Sequence, residues 1–242
     1  MGAALGLGLE PGMPVLSLGT SGTAYAVSSQ PAADPTGTIA GFADATGRYL
    51  PLACTLNCTR AVDRVAEWLN LDREAVADDT EVVMLPYLGG ERTPNLPGAA
   101  GTIVGLREDT EPGEILLAAY RGAVASLLDA VDQLAAHGSG IAADAPITLI
   151  GGGARGGAWR RTVRELSGRQ VHVPDAQELV AIGAAAQAAA ALSGELADAI
   201  ARRWNTQAGT RLEAMPRQDA ALERIRRLVT LAPAIYPDAP SV

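Results

Sequence analysis

The 242-residue sequence contains no lysine, so all 19 of its basic residues are arginines. This excludes a Walker-A lysine, the strand lysine of protein kinases and a Schiff-base lysine. Histidine and cysteine are nearly as scarce, with two of each. Cys54 and Cys58 are too few for a disulfide framework or a zinc site. His137 falls in a helix-end segment and His172 in a short strand, both structural places. No G-x-S-x-G, H-E-x-x-H or C-x-x-C motif occurs, and two histidines leave a Ser-His-Asp triad without support. Long apolar runs are also missing. Ala184–Leu192 is too short and too alanine-rich to span a bilayer, and no basic segment follows Met1. The expectation is a soluble, cytoplasmic protein without a membrane partner.

What is present fits a folded domain. Hydrophobic residues make up 48% and charged residues 19%, enough for a core and too apolar for disorder. The net charge of −8 repels phosphate backbones and argues against nucleic acid. A small anion is still admissible, because a local nest of N–H groups can hold it against the net charge.

The chain opens with a helix end over residues 1–12, followed by a hairpin, Met13–Leu18 and Thr23–Ser28, around Gly19-Thr20-Ser21-Gly22. A second hairpin pairs Thr38–Phe42 with Arg48–Ala53. The spacing of Val62, Val65, Ala66 and Leu69 predicts a helix over Asn57–Asn70, with Asn57 or Thr59 as N-cap. Short strands at Glu81–Leu85 and Thr102–Leu106 flank a loop with three prolines. A long helix is expected over Pro112–Ala136, a fully apolar central strand at Ile147–Ile150, a helix at Ala158–Leu166, a strand at Gln170–Val173 and a helix at Gln177–Leu192. The tail reads as helix, loop, helix, with Arg202, Arg203, Arg226 and Arg227 as solvated charges. Hairpins first and β-α-β-α last predict an α/β fold with a mixed sheet flanked by helices.

Two glycine-rich turns carry the chemistry. Gly19, Thr20, Ser21 and Gly22 form a turn whose N–H groups and hydroxyls suit a phosphate, although a plain hairpin turn has the same look. Gly151-Gly152-Gly153-Ala154-Arg155-Gly156-Gly157 lies between an apolar strand and a helix, where α/β folds bind ligands. Residues 151–156 match G-x-G-x-x-G, and Asp175 follows at the distance a Rossmann NAD-binding fingerprint requires. Three features oppose that reading: the late position, the preceding hairpins, and a single following strand. In the Pro86–Pro94 loop, Glu91 and Arg92 read as a structural salt bridge ahead of a ligand contact. The helix Glu178–Ala185 reads as structural packing.

Taken in order, these segments resemble the C-terminal half of the FGGY carbohydrate kinases, in their xylulokinase branch. The matching stretches are Leu5–Gly8, Ser17–Gly22, Pro86–Pro94, Gly101–Leu106, Gly151–Arg155 with Trp159-Arg160, and Glu178–Gln187. The Gly90–Pro94 segment points to xylulokinases rather than glycerol kinases. The resemblance implies an actin-like, ribonuclease H-like ATPase domain over residues 1–242. It implies ATP with Mg²⁺ as cofactors and phosphorylation of a pentulose, D-xylulose to D-xylulose 5-phosphate. The Thr20 turn and Thr59 would lie at the ATP phosphates, with Gly152 and Gly153 against adenine, Arg155 beside them, and Gly151 in the same nucleotide-binding set. Arg121, where an acidic residue is usual, and Gly157 depart from the pattern. The catalytic aspartate and the N-terminal domain that supplies most of the sugar site would fall before Met1. The chain alone is therefore expected to be inactive, to bind the sugar only with that domain, and to expose the face that meets it. A homodimer is the assembly the family often forms. A non-enzymatic actin-like nucleotide-binding module is the alternative outside enzymes.

Overall fold

The computed structural model describes residues 1–236. In chain order the elements are α1 (Gly2–Gly6), β1 (Val15–Leu18), β2 (Gly22–Tyr25), β3 (Ala40–Ala43), β4 (Tyr49–Thr55), α2 (Thr59–Leu69), β5 (Val83–Leu85), β6 (Thr102–Val104), α3 (Pro112–Ala136), β7 (Ile147–Ile150), α4 (Gly157–Ser167), β8 (Val171–Pro174), α5 (Leu179–Ser193), α6 (Ala197–Arg203), β9 (Gly209–Leu212) and α7 (Asp219–Ile235). A short 3₁₀ turn, Gly152–Arg155, links β7 to α4.

Seven strands form one sheet in the order β3-β4-β2-β1-β7-β8-β9. Pairing is antiparallel from β3 through β1, parallel from β1 to β7 and β7 to β8, and antiparallel at β9. The predicted mixed sheet is therefore observed. Period-2 alternation sends Leu16 and Leu18 toward α2, α3 and α4, and Val15 toward α1 and α5. All four residues of β7 are buried, as a central strand covered on both faces requires.

Helix α3 begins where the sequence places it. Pro112 occupies its first position, and the Glu111 N–H donates to the Glu114 carboxylate at 2.9 Å in a capping box. Helices α1 and α5 meet almost backbone to backbone. A Cβ at Gly183 would lie 2.0 Å from the carbonyl oxygen of Gly2, so only glycine permits the crossing.

Three expectations are corrected. The N-cap of α2 is Cys58, and it makes no side-chain cap bond. Neither Asn57 nor Thr59 serves: the Asn57 side chain is committed to the loop beneath, and Thr59 is the first residue of the helix, with its hydroxyl on the Gly19 carbonyl. Two strands follow β7, not one. β9 pairs with β8 at the sheet edge, where its Gly-Thr-Arg-Leu sequence shows no apolar alternation. The four tail arginines are exposed as expected, and three of them also form surface ion pairs: Arg202 with Asp198, Arg203 with Glu195, and Arg226 with Asp129 and Asp132. Finally, Glu91 is buried but is not paired with the guanidinium of Arg92, a residue that is exposed. Its carboxylate accepts N–H groups from Leu56 (2.6 Å), Arg92 (2.7 Å) and Asn57 (3.2 Å), and the Asn57 side-chain amide at 3.0 Å. Asn57 in turn donates to the Gly90 carbonyl and accepts from the Leu88 N–H. This network pins the proline-rich loop under the start of α2.

Removing the Glu91 carboxylate strands several buried donors. Glu91→Ala is expected to lower unfolding stability by about 3 kcal/mol, and Arg92→Ala by less than about 0.5 kcal/mol, both read by urea titration.

Candidate functional site

Because β1 and β7 run parallel, they deliver their C-terminal turns to the same edge of the sheet. The β1–β2 turn, Gly19–Ser21, and the Gly151–Arg155 turn lie side by side. Gly151 adopts φ +87°, and a Cβ there would lie 2.7 Å from the carbonyl oxygen of Leu18. A Cβ on Gly153 would lie 2.8 Å from the Leu18 Cβ and 2.9 Å from the Thr59 Cγ2. The turns therefore touch and form one continuous rim.

Helix α2 is tied to the rim through its first residue. The Thr59 hydroxyl donates to the Gly19 carbonyl at 2.8 Å, and the Thr59 N–H donates to the same oxygen at 3.1 Å. The turn is thus fixed by a helix end rather than left as a free hairpin.

The predicted residues divide by exposure. Thr20, Ser21, Gly151, Gly152 and Arg155 are exposed, and Gly19 and Thr59 are half-buried. Gly22 and Gly153 are buried, and they act by letting the elements close. A Cβ at Gly22 would stand 2.5 Å from the Thr55 hydroxyl and 2.8 Å from Leu127. Gly152 is different: a Cβ there would meet nothing within 4 Å, so its face is open to a ligand.

Two cavities flank the rim. One of about 470 Å³ includes Ser17, Gly151, Gly152, Arg155, Asp175 and Glu178 among its lining residues. The other, of about 270 Å³, is lined by Thr20, Thr59, Arg60, Asp63, Arg64 and Glu67. The first falls within the usual size of a small-molecule site and the second just below it. Asp175, noted in sequence only for the dinucleotide reading, thus lines the first cavity. Arg60 was not singled out, and a cation one residue past Thr59 was the available signal.

Other reactive groups stand apart. Burial pushes the Cys58 thiol up to about 12, which removes it as a nucleophile. Arg121 is buried and pairs with Asp79 at 2.7 Å, away from the rim. Among the described residues no group of three or more His, Cys, Asp or Glu side chains could hold a metal ion. No single helix there is long and apolar enough to cross a membrane.

The C-terminal domain of the FGGY family of carbohydrate kinases matches residues 15–192. The chain belongs to that family. It is 62% identical to a xylulose kinase of Streptomyces coelicolor over 99% of this chain and 50% of the relative. A xylulose kinase of Streptomyces rubiginosus is also 62% identical, over 92% of this chain and 46% of the relative. The crystal structure of xylulose kinase from Bifidobacterium adolescentis superposes with a TM-score of 0.78 at 36% identity, covering 94% of this chain and 46% of that one. The chain thus spans about half the length of the curated relatives it matches. The actin-like ATPase fold expected from the resemblance is the fold of these FGGY neighbours. The antiparallel β2, β4, β3 and β9 set the sheet apart from the parallel one a Rossmann domain requires.

The bond from Thr59 to the turn is directly testable. Thr59→Val keeps the volume and removes the hydroxyl. It should lower stability by about 1 kcal/mol and speed amide exchange at Thr20 and Ser21; unchanged exchange there would show that the turn is held by other means.

Proposed function

We propose that residues 1–242 form the C-terminal, nucleotide-binding half of an ATP-dependent sugar kinase that converts D-xylulose to D-xylulose 5-phosphate. The observation that carries this reading is the 62% identity to a Streptomyces coelicolor xylulose kinase over 99% of the chain, together with a glycine rim open to a ligand at Gly152.

The rim suits ATP. Gly151 and Gly152 offer a flat backbone without side chains, against which an adenine ring packs, and Arg155 stands beside them as an exposed cation. Gly19, Thr20 and Ser21 offer N–H groups and hydroxyls to the phosphates, and Thr59 holds that turn in place. Gly22 and Gly153 belong to the site as the residues that let it close. Bound ATP supplies the transferable γ-phosphoryl group. Phosphoryl transfer depends mainly on positioning and charge stabilisation, and a preformed rim provides the positioning. Backbone donors do here what a lysine does in other nucleotide folds.

The described side chains do not form a metal site of their own, so we assign Mg²⁺ to the nucleotide's phosphates. The base expected from the resemblance lies in a Gly-Asp-Asn or Gly-Asp-Gln run, which these 242 residues do not contain. The pentulose therefore needs the other half of the enzyme. The exposed apolar residues Met1, Val180, Leu192 and Leu196 on or near the α1–α5 pair fit a face that meets further protein, either that half or a second copy in a homodimer. Dependence on ATP and the acidic charge fit a cytoplasmic enzyme that does not bind nucleic acid.

The 242-residue chain should be warmed in its melting transition by ATP and not by NAD. In a coupled ADP-release assay with D-xylulose it should turn over well below the ordinary range of about 1–10³ s⁻¹. A shift with NAD alone would contradict the nucleotide assignment, and ordinary turnover would contradict the division of labour.

A further inference from the structure

Helix α4 starts at Gly157 with Gly156 at the cap position, so its own sequence supplies no capping side chain. The cap comes from far away in sequence. Glu74, in the loop between α2 and β5, accepts the Ala158 N–H at 2.8 Å through Oε2. A Cβ at Gly156 would lie 3.0 Å from Glu74 Oε1, and one at Gly157 would lie 3.0 Å from Oε2. The paired glycines leave room for the carboxylate against the helix end.

Glu74 is itself held in place. Its N–H donates to the Asp72 carboxylate at 2.8 Å, and the Ala75 N–H donates to the Asp72 carbonyl at 3.0 Å. The Arg73 carbonyl accepts the Tyr120 hydroxyl at 3.0 Å. Tyr120 is fully buried and packs edge-on against Trp159, with ring centroids 4.8 Å apart. The Ala77 N–H reaches the Gly113 carbonyl at 3.1 Å. The loop is thus anchored on α3, and Glu74 carries that anchor across to α4.

From there the constraint reaches the rim. The Gly156 N–H donates to the Gly153 carbonyl at 3.0 Å, and the Ala154 N–H donates to the Gly151 carbonyl at 3.2 Å. The first turn of α4 is thus bonded directly to the 3₁₀ turn that presents the open face of Gly152.

We propose that Glu74 is a positioning residue for the nucleotide, fixing the Gly151–Gly157 wall and occupying the α4 N-terminus so that the phosphates are directed to Thr20 and Thr59 instead. This rests on the nucleotide reading above. The physical basis is that a helix N-terminus attracts anions, and that the Glu74 carboxylate seated there satisfies the Ala158 N–H and offsets the partial charge of the helix end. The adenosine end is left with the glycine wall, and the phosphate end with the β1–β2 turn.

Calorimetric titration of the 242-residue chain with ATP, adenosine and inorganic tripolyphosphate tests this. Glu74→Ala should weaken adenosine and ATP by a common factor of about 3- to 10-fold, the scale of a lost helix cap. Tripolyphosphate should bind about 2- to 5-fold more tightly, because the helix end is unmasked. Adding Gly156→Ser to Glu74→Ala places an acceptor at the cap position and should restore adenosine affinity. An unchanged adenosine Kd in Glu74→Ala, or an equal loss for all three ligands without recovery in the double variant, overturns the proposal. Should Glu74→Ala fail to fold, Glu74→Gln carries the test through its charge alone: tripolyphosphate affinity must rise, and no rise overturns the proposal. Wild-type protein that binds neither ATP nor adenosine sinks the nucleotide reading itself. Wild-type binding with no effect at Glu74 sinks the positioning role alone.

Discussion

Three residue pairs, Val15–Thr148, Leu16–Leu149 and Ser17–Ile150, join β1 to β7 in parallel, and both strands therefore leave the sheet at one edge. The remaining site geometry follows from that pairing. The chain between these strands, which holds five strands and two helices, must return so that residues 18 and 151 end side by side. An antiparallel pairing would send the two glycine turns to opposite ends of the sheet. The close approach of Gly151 to the Leu18 backbone marks the register of the seam, since a one-residue slip would bring a side chain into that space.

Glycine does three separate jobs around this seam. At Gly151 it permits a positive φ, which turns the chain sharply off the strand. At Gly22 and Gly153 it allows close packing, so that α2, β1 and the 3₁₀ turn share one rim. At Gly152 it leaves an open face. A polyphosphate held by backbone N–H groups needs no lysine, and this chain has none. Two carboxylates serve as structural anchors. Glu91 organises the loop under α2, and Glu74 seats the first turn of α4.

Much of this was legible in the sequence because the signals are local. The bounds of α3 follow from the proline, the paired glutamates and an apolar stripe along a 25-residue helix. The apolar Ile147–Ile150 run marked the central strand, and the turn chemistry at 19–22 and 151–157 marked both halves of the rim. What escaped the reading depends on partners distant in sequence. Glu74 and Ala158 are 84 residues apart, and glycine at a cap position gives no sign that a side chain arrives from elsewhere. Glu91 beside Arg92 looks like an ion pair, yet N–H groups from residues 56 and 57 satisfy it. β9 is an exposed edge strand of four residues, so its sequence carries no burial pattern. Whether a glycine lines a site or packs a core cannot be told from its letter, and Gly152 and Gly153 are neighbours with opposite roles.

The central claim is that the β1–β7 rim is where the nucleotide sits. Titrating a ¹⁵N-labelled chain with a non-hydrolysable ATP analogue and following backbone amide shifts addresses it most directly. The account predicts the largest, saturable changes at Thr20, Ser21, Thr59, Gly151 and Gly152. Saturable changes centred elsewhere, with those five amides unmoved, would contradict it.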